Sequence, residues 1–204
     1  EALPLFVDLD GTLIKTDLMF ESVCVLLKRN PFNLVTMAIW LLKGKAYLKA
    51  RLAERVDLRF SSWPFNEEFL DFLNDEKRTG RQLFLISAAN ERALKKFAKP
   101  LQLFETCVGS DEQINLKATA KRQRIEVLTR GKPFSYAGNS RADVPVWEAA
   151  AEVIRVNCSS SLARDLCDTK PSRDFDLRGS RVRYLWQAMG PHQWAKNGLL
   201  FIPL

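Results

Sequence analysis

Five short apolar runs, separated by helical patterns, constrain the fold of this chain more than any other feature. The runs are Leu3–Leu9, Leu83–Ile86, Thr106–Val108, Phe134–Ala137 and Val153–Val156. Each has the length and β-branched or aromatic content of a buried strand. Four of them end in a polar residue: Asp8, Ser87, Gly138-Asn139 and Asn157. Helical spacing fills the gaps. Phe69, Leu70, Phe72 and Leu73 share one face of a segment from Asn66 to Arg78, and Gly80 stops it. Leu94 and Phe97 do the same for Glu91–Lys99, and Ile125 and Leu128 for Lys121–Arg130. An Ala-rich segment, Ala142–Ala151, follows. Strands alternating with helices predict an α/β fold built on a doubly wound parallel sheet, and ligands of such sheets sit at the carboxyl ends of the strands.

One stretch breaks the alternation. Residues 17–57 read as two or three helices divided by Asn30-Pro31 and Gly44. Lying between the first two strands, they are expected to form an inserted helical cap, at about residues 16–65, over the site. From Lys28 to Arg59 there are eight Lys or Arg and two acids. Residues 34–42 are apolar almost all round one helix. They suit either a cap core or a greasy face for a lipid chain or membrane surface.

Composition narrows the function classes. A chain of 204 residues, 47% apolar and 27% charged, can bury its own core, which excludes a disordered or collagen-like protein. The net charge of +7 favours an anionic partner, but no nucleic-acid-binding motif accompanies it. A single histidine excludes His-based triads and multi-His zinc sites. Cys24, Cys107, Cys158 and Cys167 have no C-x-x-C spacing and read as reduced thiols.

Asp8-Leu9-Asp10-Gly11-Thr12 carries the sharpest chemical signal. Two carboxylates at i and i+2 after a strand point the same way. One can attack phosphorus while the other protonates the leaving group and then activates water. Gly11 permits the tight turn and Thr12 can tie the loop. Such chemistry needs a divalent metal and a cation. Ser87, with Ala88 beside it in the phosphate-supporting loop, can donate to a phosphoryl oxygen. Lys121 can neutralise the nucleophile; Lys117 is its rival, disfavoured because Ile125 and Leu128 follow Lys121 at +4 and +7. Gly138-Asn139-Ser140-Arg141-Ala142-Asp143 supplies an amide oxygen and a carboxylate after the fourth run.

In this order, these residues resemble the haloacid dehalogenase (HAD) superfamily of phosphohydrolases from Leu5 to about Asn157. The resemblance implies a HAD-like Rossmannoid core and a Mg²⁺-dependent phosphomonoesterase working through a phospho-aspartyl intermediate. Asp8 matches the nucleophile, Asp10 the general acid/base, Ser87 the second motif and Lys121 (or Lys117) the third. The implied metal ligands are Asp8, the carbonyl of Asp10, and Asn139 and Asp143 of the fourth motif. The family usually has Asp where this chain has Asn139, so one negative charge is missing and weaker metal binding is expected. The same substitution opens the alternative of a catalytically weak domain that docks or regulates an attached protein.

Beyond residue 172 the character changes. Arg173, Arg178, Arg181 and Arg183 precede an aromatic stretch and the apolar run Leu199–Leu204. A basic linker leading into a membrane-associated helix is expected for 173–204. Pro191-His192-Gln193-Trp194, with Lys196 and Asn197, resembles the opening of UbiA-type prenyltransferases that move phosphoribosyl groups onto polyprenyl phosphate; Gly190 stands where that group commonly has Arg. This second resemblance implies a phosphatase–prenyltransferase fusion at the cytoplasmic face of the inner membrane. A lipid-linked phosphate such as polyprenyl-phosphoribose 5-phosphate is its implied substrate.

Overall fold

The computed structural model describes residues 2–56, 63–111, 115–165 and 173–175. The basic and aromatic tail, the Pro191–Asn197 motif and Cys167 lie outside the described residues. Among those described, no helix is long and apolar enough to cross a membrane.

The strands are β1 (Leu5–Val7), β2 (Leu83–Asn90), β3 (Thr106–Ser110), β4 (Ser135–Gly138), β5 (Glu152–Val156) and β6 (Arg173–Phe175). They form one parallel sheet in the order β3-β2-β1-β4-β5-β6. The chain winds one way from β1 to β3 and the other way from β4 onward. The crevice at the carboxyl ends of β1 and β4 is therefore the switch point where such sheets bind ligands. In register, Leu5 lies opposite Leu83 on one side and Ser135 on the other.

Strand alternation sends side chains to two separate cores. Leu5 and Val7 of β1, Leu83 and Leu85 of β2, and Ala137 of β4 join a cluster with Phe69, Leu73, Leu94 and Phe97. Those partners come from α4 (Glu67–Arg78) and α5 (Glu91–Ala98). Phe6, Ile86, Tyr136 and Val153 face the opposite way, against Ile125 of α6 (Thr119–Thr129) and Val146 and Trp147 of α7 (Val144–Trp147). This alternation places the Tyr136 ring on the α6 side of the sheet.

Between β1 and α4 come α1 (Leu18–Arg29), α2 (Asn33–Leu42) and α3 (Lys45–Arg55). Asp17 caps α1 by accepting from the amides of Met19 and Phe20. The three helices share a small core of Leu26, Met37, Trp40, Leu48, Leu52 and Val56. They touch the sheet through Lys49, whose Nζ donates to the Ala88 carbonyl of β2 at 3.1 Å. Lys96 of α5 reaches back to the Ala53 carbonyl at 3.2 Å.

Several expectations change. Strand β2 runs on to Asn90, so Ser87 lies inside it rather than at its end, beside a register shift against β3 between Ile86 and Asn90. The Ala142–Ala151 helix is only a 3₁₀ turn (Arg141–Asp143) and the single turn of α7, with Pro145 in that turn. Leu128 is substantially exposed, so Ile125 and Lys121 form the buried face of α6. Arg173–Phe175 pairs with β5, and Phe175 packs against Phe69 and Phe72 at ring-centroid distances of 5.3 and 5.4 Å. The core thus extends past residue 172. Ser160–Asp165 forms a further short helix, α8.

Candidate active site

The site grows from the end of β1. The Asp8 amide donates to the Ala137 carbonyl at 2.9 Å, extending the β1–β4 pairing to the point where the chain turns. Gly11 makes that turn with φ +79°. A Cβ built on Gly11 would lie 2.0 Å from Nδ2 of Asn139, so only glycine lets the Asn139 side chain close against this loop. The loop is pinned from below: buried Asn66 donates from Nδ2 to the Thr12 carbonyl, and Asn157 donates to Asn66 Oδ1 at 3.1 Å.

Lys121 occupies the first turn of α6, one helical turn before Ile125 and on the same buried face. Its ammonium is 2.8 Å from Asp8 Oδ1, 3.1 Å from Asp143 Oδ1 and 2.8 Å from the Tyr136 hydroxyl. All three of its donor positions are used. Lys117 is exposed and lies outside this cluster. The structure therefore brings Lys121, not its rival, to Asp8.

Asp143 sits beneath β4, where Gly138 leaves the room: a Cβ there would lie 2.8 Å from Asp143 Cγ. Asp143 Oδ1 accepts from Lys121 and, at 2.5 Å, from Tyr136. Oδ2 accepts from the Asn139 amide (3.2 Å), the Ser140 amide (3.0 Å) and the Ser140 hydroxyl (2.9 Å). Five donors fill the carboxylate, which leaves Asp143 as the counter-charge of Lys121 and the anchor of the Asn139 loop. As a direct metal ligand it would have to give up one of them.

Burial sets the electrostatics. It pushes the Asp8 carboxyl up to about 6, with Asp143 adding to the rise and Lys121 opposing it. Asp10 rises to about 7, first from burial and then from its neighbours Asp17 and Asp8. Asp10 Oδ1 accepts the Leu18 amide at 2.8 Å, tying this carboxyl to the start of α1. Burial would depress the Lys121 ammonium, but Asp8 and Asp143 outweigh it and hold the proton more firmly than usual. For Asp143 burial is likewise overcome, by Lys121, Tyr136 and Ser140, and its carboxyl lies below the ordinary range. The outcome is two aspartates two residues apart in different settings: Asp8 is paired with the Lys121 ammonium, and the raised Asp10 carboxyl is held by the Leu18 amide.

Ser87 is buried, and its Oγ accepts from the Ala89 amide at 3.0 Å, which leaves its own proton to donate. The Ala88 carbonyl is held by Ser110 Oγ (2.9 Å) as well as by Lys49. Thr12 is fully buried, and its hydroxyl has no partner among the described residues.

Among the described residues no cluster of three or more His, Cys, Asp or Glu could hold a metal unaided. The oxygens that could hold a metal at the turn are the Asp8 carboxylate, the Asp10 carbonyl and the side-chain oxygen of Asn139. This all-oxygen set fits Mg²⁺, which keeps several waters and takes one or two carboxylates plus substrate phosphate.

The family description "haloacid dehalogenase-like hydrolase" matches residues 5–148. The chain belongs to this family. The uncharacterized protein y4nM of Sinorhizobium fredii is 33% identical over 207 residues, covering 99% of this chain and 39% of that protein. The chain thus spans about two fifths of its relative's length. A Bordetella pertussis Tohama I protein of unknown function superposes with a TM-score of 0.65 at 14% identity, over 86% of this chain and 98% of that one. A substrate-bound phosphoserine phosphatase superposes with a TM-score of 0.56 at 14% identity, over 92% and 98%. The family is that of HAD-like hydrolases, and the fold is shared with phosphoserine phosphatase.

Reading the residues alone overlooks Tyr136 and Asn66, and gives Asn157 and Ser140 a place but no partner. Tyr136 stands in an apolar run and counts there as core, and only strand alternation toward α6 signals its hydroxyl. Asn66 reads as the start of a helix, and nothing in its local pattern points to Thr12.

Proposed function

We propose that this HAD-family domain is a Mg²⁺-dependent phosphomonoesterase that works through a phospho-aspartyl intermediate on Asp8. The observation that carries the reading is the buried Asp8–Lys121 pair with a proton-holding Asp10 two residues away. An Asp8 oxygen bonds to phosphorus as the bond to the leaving oxygen breaks, and Asp10 gives its proton to that oxygen. Asp10, now ionised, takes a proton from water as the water oxygen attacks phosphorus. Phosphate leaves and the Asp8 carboxylate is restored. Lys121 keeps Asp8 ionised while it waits, and Ser87 donates to a phosphoryl oxygen. Mg²⁺, when bound by Asp8, the Asp10 carbonyl and Asn139, supplies neutralisation of the phosphoryl charge.

The substrate proposed is a lipid-linked phosphate, of which polyprenyl-phosphoribose 5-phosphate is the specific candidate. Support comes from the prenyltransferase-like residues Pro191–Asn197, from the basic cap, and from the greater length of y4nM, which leaves room for a further domain. The same reasoning proposes a membrane-associated tail, an attached prenyltransferase and a place at the cytoplasmic face of the inner membrane.

A second reading rests on Asn139 and on the filled carboxylate of Asp143. With only the Asp8 charge facing a metal, the domain would be a docking or regulatory unit of the attached protein. Phosphate release from an aryl phosphate separates the two. Mg²⁺-dependent release by the native chain, abolished by Asp8→Asn, is the expected result. Release only after Asn139→Asp would favour the docking unit. Turnover of small soluble sugar phosphates with none of the lipid-linked phosphate would refute the proposed substrate.

A further inference from the structure

Helix α2 turns only Met37 and Trp40 inward, three residues apart, onto the core of the cap. Its other flank is left without cover among the described residues. Phe32 at its start is 79% exposed and Leu42 at its end 89%, while Leu34, Val35, Ile39 and Leu41 are each half exposed or more. No charged residue interrupts the stretch from Asn30 to Leu42. Six large apolar side chains on one helix exceed the scattered exposure of an ordinary surface and mark a face made to be covered.

The charges around this face identify what covers it. Lys28 and Arg29 close α1 just before it, and Lys43 follows directly after Leu42; all three are exposed. Between Lys28 and Val56 the chain has seven Lys or Arg and one acid, Glu54, which is already paired with Arg51 at 2.8 Å. An apolar strip flanked at both ends by cations complements an anionic lipid surface: the side chains enter the acyl boundary while the ammonium and guanidinium groups stay with the headgroups. A second copy of the chain complements it poorly, because two-fold pairing would set the same cations against each other. Ten residues of helix are about 15 Å long, half the hydrocarbon thickness, so α2 would lie in the surface and not span it.

We propose that α2 docks this domain on an anionic bilayer through Phe32, Leu34, Val35, Ile39, Leu41 and Leu42, with Lys28, Arg29 and Lys43 engaging lipid headgroups. Helix α3 packs on α2 and reaches the Ala88 carbonyl, next to Ser87. Docking therefore brings the active site within one helix layer of the surface.

The test is sedimentation of the full chain with vesicles of phosphatidylcholine alone or with 30% phosphatidylglycerol. No substrate is present, so a chain without turnover still tests the proposal. The native chain is expected to bind the anionic vesicles and to be released by salt. Lys28→Gln with Lys43→Gln should weaken binding about 30-fold, since each charge contributes about fivefold. Leu34→Gln with Ile39→Gln and Leu42→Gln should weaken it about 100-fold or more. All five positions are exposed and outside the catalytic machinery, so unfolding midpoints should match the native chain. No binding by the native chain, or equal binding to neutral vesicles, would overturn the proposal. So would undiminished binding by the apolar variant, which would place attachment in the segment after Phe175. A native dimer that the apolar variant dissolves, without vesicle binding, would assign the face to a second copy.

Discussion

Asp10→Asn should stabilise the metal-free protein, and increasingly so as pH rises. The amide keeps the shape of the carboxyl and can still accept the Leu18 amide, so the α1 contact survives. What disappears is the burial of a charge. In the fold Asp10 titrates at about 7, against 3.8 in the unfolded chain. Between those values the native state binds more protons than the unfolded state, so stability falls as pH rises. The cost is absent below pH 4 and complete above pH 7. A shift of about three pH units corresponds to about 4 kcal/mol, and about 2–4 kcal/mol is the working range because Asp10 keeps some contact with water. For a domain of this size that is a rise in Tm of about 5–15 °C at pH 8, shrinking towards zero at pH 4. Thermal unfolding of both chains in EDTA across this range reads the difference directly. A difference that stays flat with pH, or a variant less stable at pH 8, would refute the buried-acid argument. Turnover should fall about 10²–10⁴-fold in the same variant, because the stabilising change removes the proton that the leaving group needs.

Three further outcomes follow from the same site. Tyr136→Phe keeps the ring in place but removes the hydroxyl shared by Lys121 and Asp143; it should cost about 2 kcal/mol in denaturant unfolding and lower kcat more than KM changes. Gly11→Ala forces a side chain into left-handed backbone and against Asn139, so it should lose more than about 1 kcal/mol and any Mg²⁺-dependent turnover. Arg81→Met breaks the ion pairs that the buried guanidinium makes with the partly exposed Glu76 and Glu152 at the far end of the sheet. It should destabilise by about 1–3 kcal/mol while folded molecules retain native turnover per site.

The parallel sheet was legible because strands buried on both faces are apolar throughout and the helices between them are amphipathic. Asp8, Asp10 and Gly11 were legible because they act within one turn. Boundaries were less so: β2 outruns its apolar run because pairing with β3 resumes at Asn90, after a register shift, through backbone groups that any residue carries. Strand β6 escaped notice because three residues, two of them charged, have no pattern of their own. Its place comes from β5 beside it and from Phe175 against Phe69 and Phe72.

Local order along the chain was thus enough to determine the α/β class, the helical insertion after β1 and the turn from Asp8 to Gly11, because each depends on residues a few positions apart. The choice between Lys117 and Lys121 depended on which helical face meets β4, 15 residues further on. The Asp8–Lys121 pair, the pinning of Thr12 by Asn66 and the rise of Asp10 depend on groups brought together from up to 113 positions away, and on the water that packing removes. Desolvation and convergence belong to the folded molecule as a whole. Only the tertiary structure shows the Lys121 ammonium on Asp8 and the Leu18 amide on Asp10.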